Sequence, residues 1–290
     1  GLKRLGVEIA ERDGYIHCEA EKLVGAEILL GFPSVGATEN IMLAAVKAEG
    51  ITVIRNAAKE PEIVDLQQFL NAMGAKVCGA GGGTVAIEGV KRLHGVDFVP
   101  IGDRIEAGTY LIAAASCGGE IETHGVPPEN IAALLHKLRE NGCKIYTKND
   151  KILLISDGNL RSVDIVETMP FPGFPTDLQA QYTALCTTAK GSTLIVENLF
   201  ETRYRYVAEL KRMGADITVR GKTACVRGVE KLHGACVTGG DLRGGAALVL
   251  AALKAEGQSS VIELSYIDRG YADFEGKLRK LGAKIRRVQV

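Results

Sequence analysis

Apolar and polar positions along the chain fall into a pattern that repeats. Five segments carry apolar residues at helical spacing into a glycine and then alternate: GLKRLGVEI, FLNAMGAKV, KLRENGCKI, ELKRMGADI and KLRKLGAKI. Their glycines are Gly6, Gly74, Gly142, Gly214 and Gly282, spaced by 68, 68, 72 and 68 residues. The change from helical period to twofold alternation predicts a helix that runs into a strand. Glycine just past a helix end takes the left-handed cap at little steric cost. Polar stretches after these strands, such as ERDGY at 11–15 and TKNDK at 147–151, predict hairpins to a further strand.

A second landmark lies earlier in each repeat. It is a small-residue helix pattern ending in a turn before a β-branched strand: ENIMLAAVKAEGITVIRNA, AGTYLIAAASCGGEIETHG, LQAQYTALCTTAKGSTLIVEN and GAALVLAALKAEGQSSVIEL. The repeat is therefore strand, helix, strand, helix, strand, strand. These helices carry few charges, so burial between sheets is expected. Complete units are expected from Val24 to Leu93 and from about Val96 to Ile165; the third runs to about Val237 and the fourth to Val290. The landmark at Gly6 has no upstream half, so the sequence is expected to begin inside a helix that closes a unit. GAGGGT at 79–84 precedes a strand and lacks the GxGxxG order, so it predicts a hairpin and not a dinucleotide loop.

Composition narrows the function classes. A chain of 290 residues has room for two domains. Net charge is +0, which implies no large basic surface for nucleic acid. No apolar run reaches the length of a membrane span, and the first residues lack the apolar core of a secretory signal. The seven cysteines (Cys18, Cys78, Cys117, Cys143, Cys186, Cys225, Cys236) include no CxxC pair and are expected to be buried small hydrophobes in a reducing compartment. The five histidines show no HExxH pattern, so no metal site is expected.

Candidate chemistry sits at the turns before the helices. In FPGFPTDLQAQ, Pro172 and Pro175 stiffen the approach to a helix with Leu178, Tyr182, Leu185 and Ala189 on one face. Thr176 or Asp177 is a candidate N-cap; Asp177 is also a candidate acid/base. Equivalent turns carry Asp103-Arg104, Asp241 with Arg243, Thr202-Arg203 and Asp268-Arg269. Repeats set such turns on one edge, so three arginines and a carboxylate are expected to share a cleft. Arginine forks suit phosphate and carboxylate oxygens; the competing reading is surface ion pairs. Ser34, Val35 and Gly36 offer backbone amides at a helix start, either an anion-binding element or an ordinary turn.

Several of these stretches carry a resemblance. FPSVGATENIMLAA, AKEPEIVDLQQFLNAMGAKV, GDRIEAGTYL, FPTDLQAQ, FETRY, GGDLRGGAALVLA and YIDRGYADFEGKLRKLGAKI resemble the UDP-N-acetylglucosamine 1-carboxyvinyltransferases, enolpyruvyl transferases of peptidoglycan synthesis. The resemblance implies an α/β (α+β) fold of inside-out barrels, with helices inside and sheets outside, built from βαβαββ units. It implies an incomplete first domain over 1–101 and a second over 102–290, with the site in the cleft between them.

It further implies enolpyruvyl transfer from phosphoenolpyruvate to the sugar 3-hydroxyl by addition and elimination. Asp177 matches the acid/base carboxylate, and Arg203, Arg243 and Arg269 match the arginines that hold phosphoenolpyruvate. Phe32, Pro33, Ser34 and Val35, with Gly36, match the uridine-diphosphate segment, and Leu199 matches a backbone contact to the sugar nucleotide. Glu60, Asp103 and Asp241 match polar groups of the cleft. No metal or organic cofactor, nucleic acid or membrane is implied, and a cytoplasmic location is expected.

One part of the family pattern has no counterpart here. The upstream lysine-asparagine pair, further arginines and the loop cysteine that fosfomycin attacks do not occur, and no cysteine here matches that position; Cys186 is expected to be a packed core thiol. The chain by itself is therefore expected to be inactive, with the missing N-terminal segment as its partner. Two other readings stay open: a non-catalytic sugar-nucleotide-binding fragment or paralogue, and a sibling transferase with an acceptor such as shikimate 3-phosphate.

Overall fold

The computed structural model describes residues 1–288, in two compact units, Gly1–Ile101 and Gly102–Val290. In the first, a 3-10 turn Leu2–Leu5 leads to the antiparallel hairpin β1 (Glu8–Arg12) and β2 (Tyr15–Glu19). There follow β3 (Glu27–Leu29), α1 (Val35–Ala45), β4 (Ile51–Arg55), α2 (Pro61–Ala72), β5 (Lys76–Cys78) and β6 (Thr84–Glu88). They form one sheet in the order β3-β4-β6-β5, with β3 parallel to β4 and the other pairs antiparallel. This is one full repeat, and the GAGGGT stretch is the β5–β6 hairpin connection.

The second unit runs α3 (Arg104–Cys117), β7 (Gly119–Thr123), α4 (Ala132–Glu140), β8 (Lys144–Lys148), β9 (Lys151–Ser156) and β10 (Ile165–Glu167). Next come α5 (Gln179–Cys186), β11 (Ser192–Val196), α6 (Val207–Arg212), β12 (Asp216–Arg220) and β13 (Thr223–Arg227). The last elements are β14 (Cys236–Thr238), α7 (Leu242–Lys254), β15 (Ser260–Ile262), α8 (Ser265–Asp268) and α9 (Phe274–Lys280). The sheet β10-β11-β13-β12 repeats the order and the parallel-then-antiparallel pairing of the first unit's sheet.

Helices occupy the middle of this unit. α3, α5 and α7 pack on one another, and all eight residues of α5 are buried. Its uncharged sequence permits this, and the buried polar side chains Gln179, Gln181 and Thr183 take hydrogen-bond partners inside. The strands alternate, burying one face against the helices; β11 reads exposed, buried, exposed, buried, half-buried. Gly108 allows the close approach of α3: a Cβ there would lie 2.7 Å from Leu178 Cδ1. This is the α/β inside-out barrel architecture that the resemblance implies, built from the units expected from the repeat. All five landmark glycines are left-handed, with φ from 93° at Gly6 to 110° at Gly142.

Four expectations need correction. The second repeat has no leading strand: residues 89–103 form neither helix nor strand. There Phe98 packs on Phe69 with ring centroids 5.2 Å apart, Val99 is 90% exposed, and Pro100 has no N–H to give a ladder. No strand follows Gly282 among the described residues, because 283–288 lie beside no partner strand and β14–β15 remains a two-stranded sheet. α1 buries only one face, through Thr38, Ile41, Met42 and Ala45; the all-round burial of α5 needs two helical neighbours. The cysteines are not uniformly buried. Cys143 and Cys186 are buried and Cys225 half-buried, whereas Cys18, Cys78, Cys117 and Cys236 are exposed, three of them on outward faces of strands.

No helix is long and apolar enough to cross a membrane, among the described residues. Nor does any group of three or more His, Cys, Asp or Glu side chains among them have a geometry that could hold a metal ion.

Candidate active site

The approach FPGFP ends in a 3-10 turn, Thr176–Leu178, stacked on the start of α5. Leu178 and Phe174 anchor it in the core, with the Phe174 ring 5.3 Å from that of Tyr182. The capping expectation fails. Neither Thr176 nor Asp177 caps α5, since the 3-10 turn displaces the helix start to Gln179 and both side chains are otherwise engaged.

The Asp177 carboxylate, 42% exposed, is held by two arginines through the same oxygen. Arg203 donates from Nη2 to Oδ1 at 3.3 Å, and Arg243 donates from Nε to Oδ1 at 3.1 Å. Arg203 begins the 3-10 turn Arg203–Tyr206 ahead of α6, and Arg243 is the second residue of α7. Both guanidiniums are mostly buried. Arg203 also donates from Nε to Thr176 Oγ1 at 3.1 Å and lies 4.7 Å above the Phe200 ring. Burial works against the Arg243 charge, but the Asp177 carboxylate and the Tyr271 hydroxyl outweigh it, and the Arg243 pKa is raised above its ordinary value. Arg243 therefore stays charged in its partly dry setting.

A cleft of about 230 Å³ opens over this pair, lined by Asp177, Phe200, Thr202, Arg203, Arg205, Asp241, Leu242, Arg243 and Arg269. Four arginines face two aspartates, so the cleft favours an anion. Asp241 is engaged as the N-cap of α7, accepting from Arg243 N at 3.0 Å and Gly244 N at 2.8 Å. Arg269 follows α8, whose Asp268 is paired with Arg287. Geometry of this kind suits the binding of phosphate and carboxylate oxygens beside one proton-accepting carboxylate.

Other sequence candidates stand elsewhere. Asp103 caps α3, accepting from Ile105 N at 2.8 Å and Glu106 N at 2.9 Å, and does not line this cleft. Arg104 is buried and lies 5.8 Å over the Phe171 ring. The Leu199 amide donates to Glu197 Oε1 at 2.9 Å. Phe32, Pro33, Ser34, Val35, Gly36 and Glu60 belong to the first unit. There Ser34 caps α1 by accepting from Ala37 N at 3.3 Å, and Glu60 is buried at the start of α2.

Sequence reasoning missed Arg205, Phe200, Leu242 and the buried Glu197. Arg205 stands two residues after Arg203 in FETRYR, and that basic pairing was a visible signal. Glu197 directly follows the apolar strand β11, with nothing in its spacing to mark it.

Comparison with known proteins identifies the chain's relatives. The family model of EPSP synthase (3-phosphoshikimate 1-carboxyvinyltransferase) matches residues 1–278. UDP-N-acetylglucosamine 1-carboxyvinyltransferase 2 of Caldanaerobacter subterraneus subsp. tengcongensis is 53% identical over 99% of this chain and 69% of the relative. UDP-N-acetylglucosamine 1-carboxyvinyltransferase 1 of Carboxydothermus hydrogenoformans is 50% identical over 99% of this chain and 68% of its own length. Among solved structures, the enolpyruvyl transferase NikO from Streptomyces tendae superposes with a TM-score of 0.88 at 26% identity, covering 98% of this chain and 70% of that one. EPSP synthase from Acinetobacter baumannii gives a TM-score of 0.73 at 18% identity over 99% of this chain and 71% of that one, a likeness of fold.

Proposed function

This chain belongs to the EPSP synthase family of carboxyvinyltransferases, and we propose that it transfers the enolpyruvyl group of phosphoenolpyruvate to the 3-hydroxyl of UDP-N-acetylglucosamine, the first committed step of peptidoglycan synthesis. The observation that carries this reading is the carboxylate of Asp177 fixed by Arg203 and Arg243 beside an arginine-lined cleft. The acceptor is chosen by likeness: relatives at 53% and 50% identity are named for the sugar nucleotide, whereas the solved EPSP synthase is 18% identical.

In this mechanism the cleft arginines bind the phosphate and carboxylate of phosphoenolpyruvate and neutralise charge as it builds. The sugar hydroxyl attacks C2 and gives up its proton while C3 takes a proton from solvent, which gives a tetrahedral intermediate. The C2–O bond to phosphate then breaks as C3 returns a proton to solvent, leaving the enol ether and inorganic phosphate. Asp177 accepts the hydroxyl proton. Both arginines bind its Oδ1, so Oδ2 is the oxygen assigned to that transfer. Arg269 and Arg205, which line the same cleft, are assigned to the incoming anion, while Asp241 holds the start of α7 and thereby Arg243. In the first unit, the capped start of α1, with Phe32, Pro33, Ser34, Val35 and Gly36, is assigned to the diphosphate, which a helix N-terminus favours.

The test is acceptor choice in the protein that carries this chain. Phosphate release from phosphoenolpyruvate is followed with UDP-N-acetylglucosamine or with shikimate 3-phosphate, and the product is weighed by mass spectrometry. Turnover with the sugar nucleotide alone is expected. Turnover with shikimate 3-phosphate alone would move the chain to the sibling activity.

A further inference from the structure

Glu197 is the most enclosed acid near the cleft, yet no step of the mechanism uses it. It is 2% exposed and follows the last residue of β11. Four donors converge on it. Oε1 accepts from Thr168 Oγ1 at 2.9 Å, Leu199 N at 2.9 Å and Phe200 N at 3.1 Å; Oε2 accepts from Thr176 Oγ1 at 2.9 Å. Burying a carboxylate is costly unless hydrogen bonds replace its water, and here they do. Through these bonds it ties the end of β10, the turn that carries Asp177 and the loop that precedes Arg203.

Two of these contacts reach the same guanidinium from different sides. The Thr176 hydroxyl gives its proton to Glu197 Oε2, which turns an oxygen lone pair to Arg203 Nε at 3.1 Å. The Phe200 amide is pinned by Oε1, and the Phe200 ring is the surface on which the Arg203 guanidinium rests at 4.7 Å. Arg203 in turn holds Asp177 Oδ1. We propose that Glu197 is a positioning residue: it fixes Arg203 edge-on through Thr176 and face-on through Phe200, and so sets Arg203 and Asp177 for phosphoenolpyruvate. It does not line the cleft itself. The proposal rests on the enolpyruvyl transfer assigned above.

Two variants remove the same link from opposite ends. Glu197→Gln places an amide where Thr176 now donates; Thr176→Val removes the hydroxyl at nearly constant volume. Each is expected to lower kcat/KM for phosphoenolpyruvate by up to about 100-fold, the scale of a small misplacement of a reacting group. In Thr176→Val, which leaves the Glu197 bond to the Leu199 amide in place, KM for UDP-N-acetylglucosamine stays within about twofold. The double variant is expected to fall no more than about threefold below the worse single one, since both act on one link. Thr176→Ser keeps the hydroxyl and restores activity.

Phosphate release, normalised to the folded fraction by circular dichroism, reads all of these. If Glu197→Gln does not fold, Thr176→Val and Thr176→Ser decide the matter. Wild-type kcat/KM per folded molecule in Thr176→Val, or a loss that Thr176→Ser does not restore, would overturn the positioning role while leaving Asp177 in place. An active Asp177→Asn variant would instead bring down the assigned reaction, and this proposal with it.

Discussion

At the scale of single residues, Asp177 is defined by what holds it. A carboxylate 42% exposed gains little from a single surface ion pair. Two mostly buried arginines on one oxygen make a different object: a fixed acceptor with one free oxygen, set against guanidiniums that cannot lose their charge. Cysteine chemistry divides in the same way, by surroundings. Burial pushes the Cys186 thiol up to about 12, with a hydrogen bond to Thr193 acting against it, and burial likewise raises Cys143. At pH 8 both are protonated and sealed. Iodoacetamide followed by peptide mass mapping should label Cys18, Cys78 and Cys236 in the native protein, and Cys143 and Cys186 only after denaturant. Native labelling of Cys186 as fast as Cys78 would contradict the burial.

At the scale of elements, the repeat is held in shape by backbone contacts that recur. A Cβ on Gly228 would lie 1.7 Å from the Ala189 carbonyl oxygen, and one on Gly89 would lie 1.5 Å from that of Ala48, the matching place in the first unit. Backbone cannot yield as a side-chain tip can. Gly228→Ala should therefore destabilise the second unit by about 1–3 kcal/mol or more, measured by urea unfolding; a loss under about 0.5 kcal/mol would show that this approach is loose. Elements of this kind were legible in the sequence because glycine at Gly6, Gly74, Gly142, Gly214 and Gly282 answers a local backbone demand. Strands were less legible where pairing decides: 283–288 alternates well enough, but a strand exists only beside a partner. The 3-10 turn at Thr176–Leu178 was hidden for a similar reason, since the arginines that draw Asp177 away from capping lie 26 and 66 residues further along.

At the scale of the whole molecule, the two units differ in how they store buried polar groups. Tyr110, Tyr182, Tyr204 and Tyr206 all lie in the second unit, and burial is the first cause that raises each of them. Tyr204 is pushed up to about 12, from the ordinary value of about 10. A raised folded value means that the unfolded chain loses the proton first, so this stability is complete below about pH 10 and falls as pH rises to about 12. Urea unfolding followed by circular dichroism should show that decline, and tyrosinate absorbance of the native protein should titrate in more than one step. A single native step near pH 10 for all eight tyrosines would contradict it.

The proposed reaction draws on one carboxylate and on arginines from separate repeats of the second unit, brought together in one cleft. Its most direct test is phosphate release from UDP-N-acetylglucosamine and phosphoenolpyruvate by the Asp177→Asn variant of the protein that carries this chain. A loss of about 100- to 10,000-fold in kcat with unchanged thermal unfolding is expected, the usual worth of a placed general base. Turnover within a few-fold of wild type would contradict the assignment of Asp177.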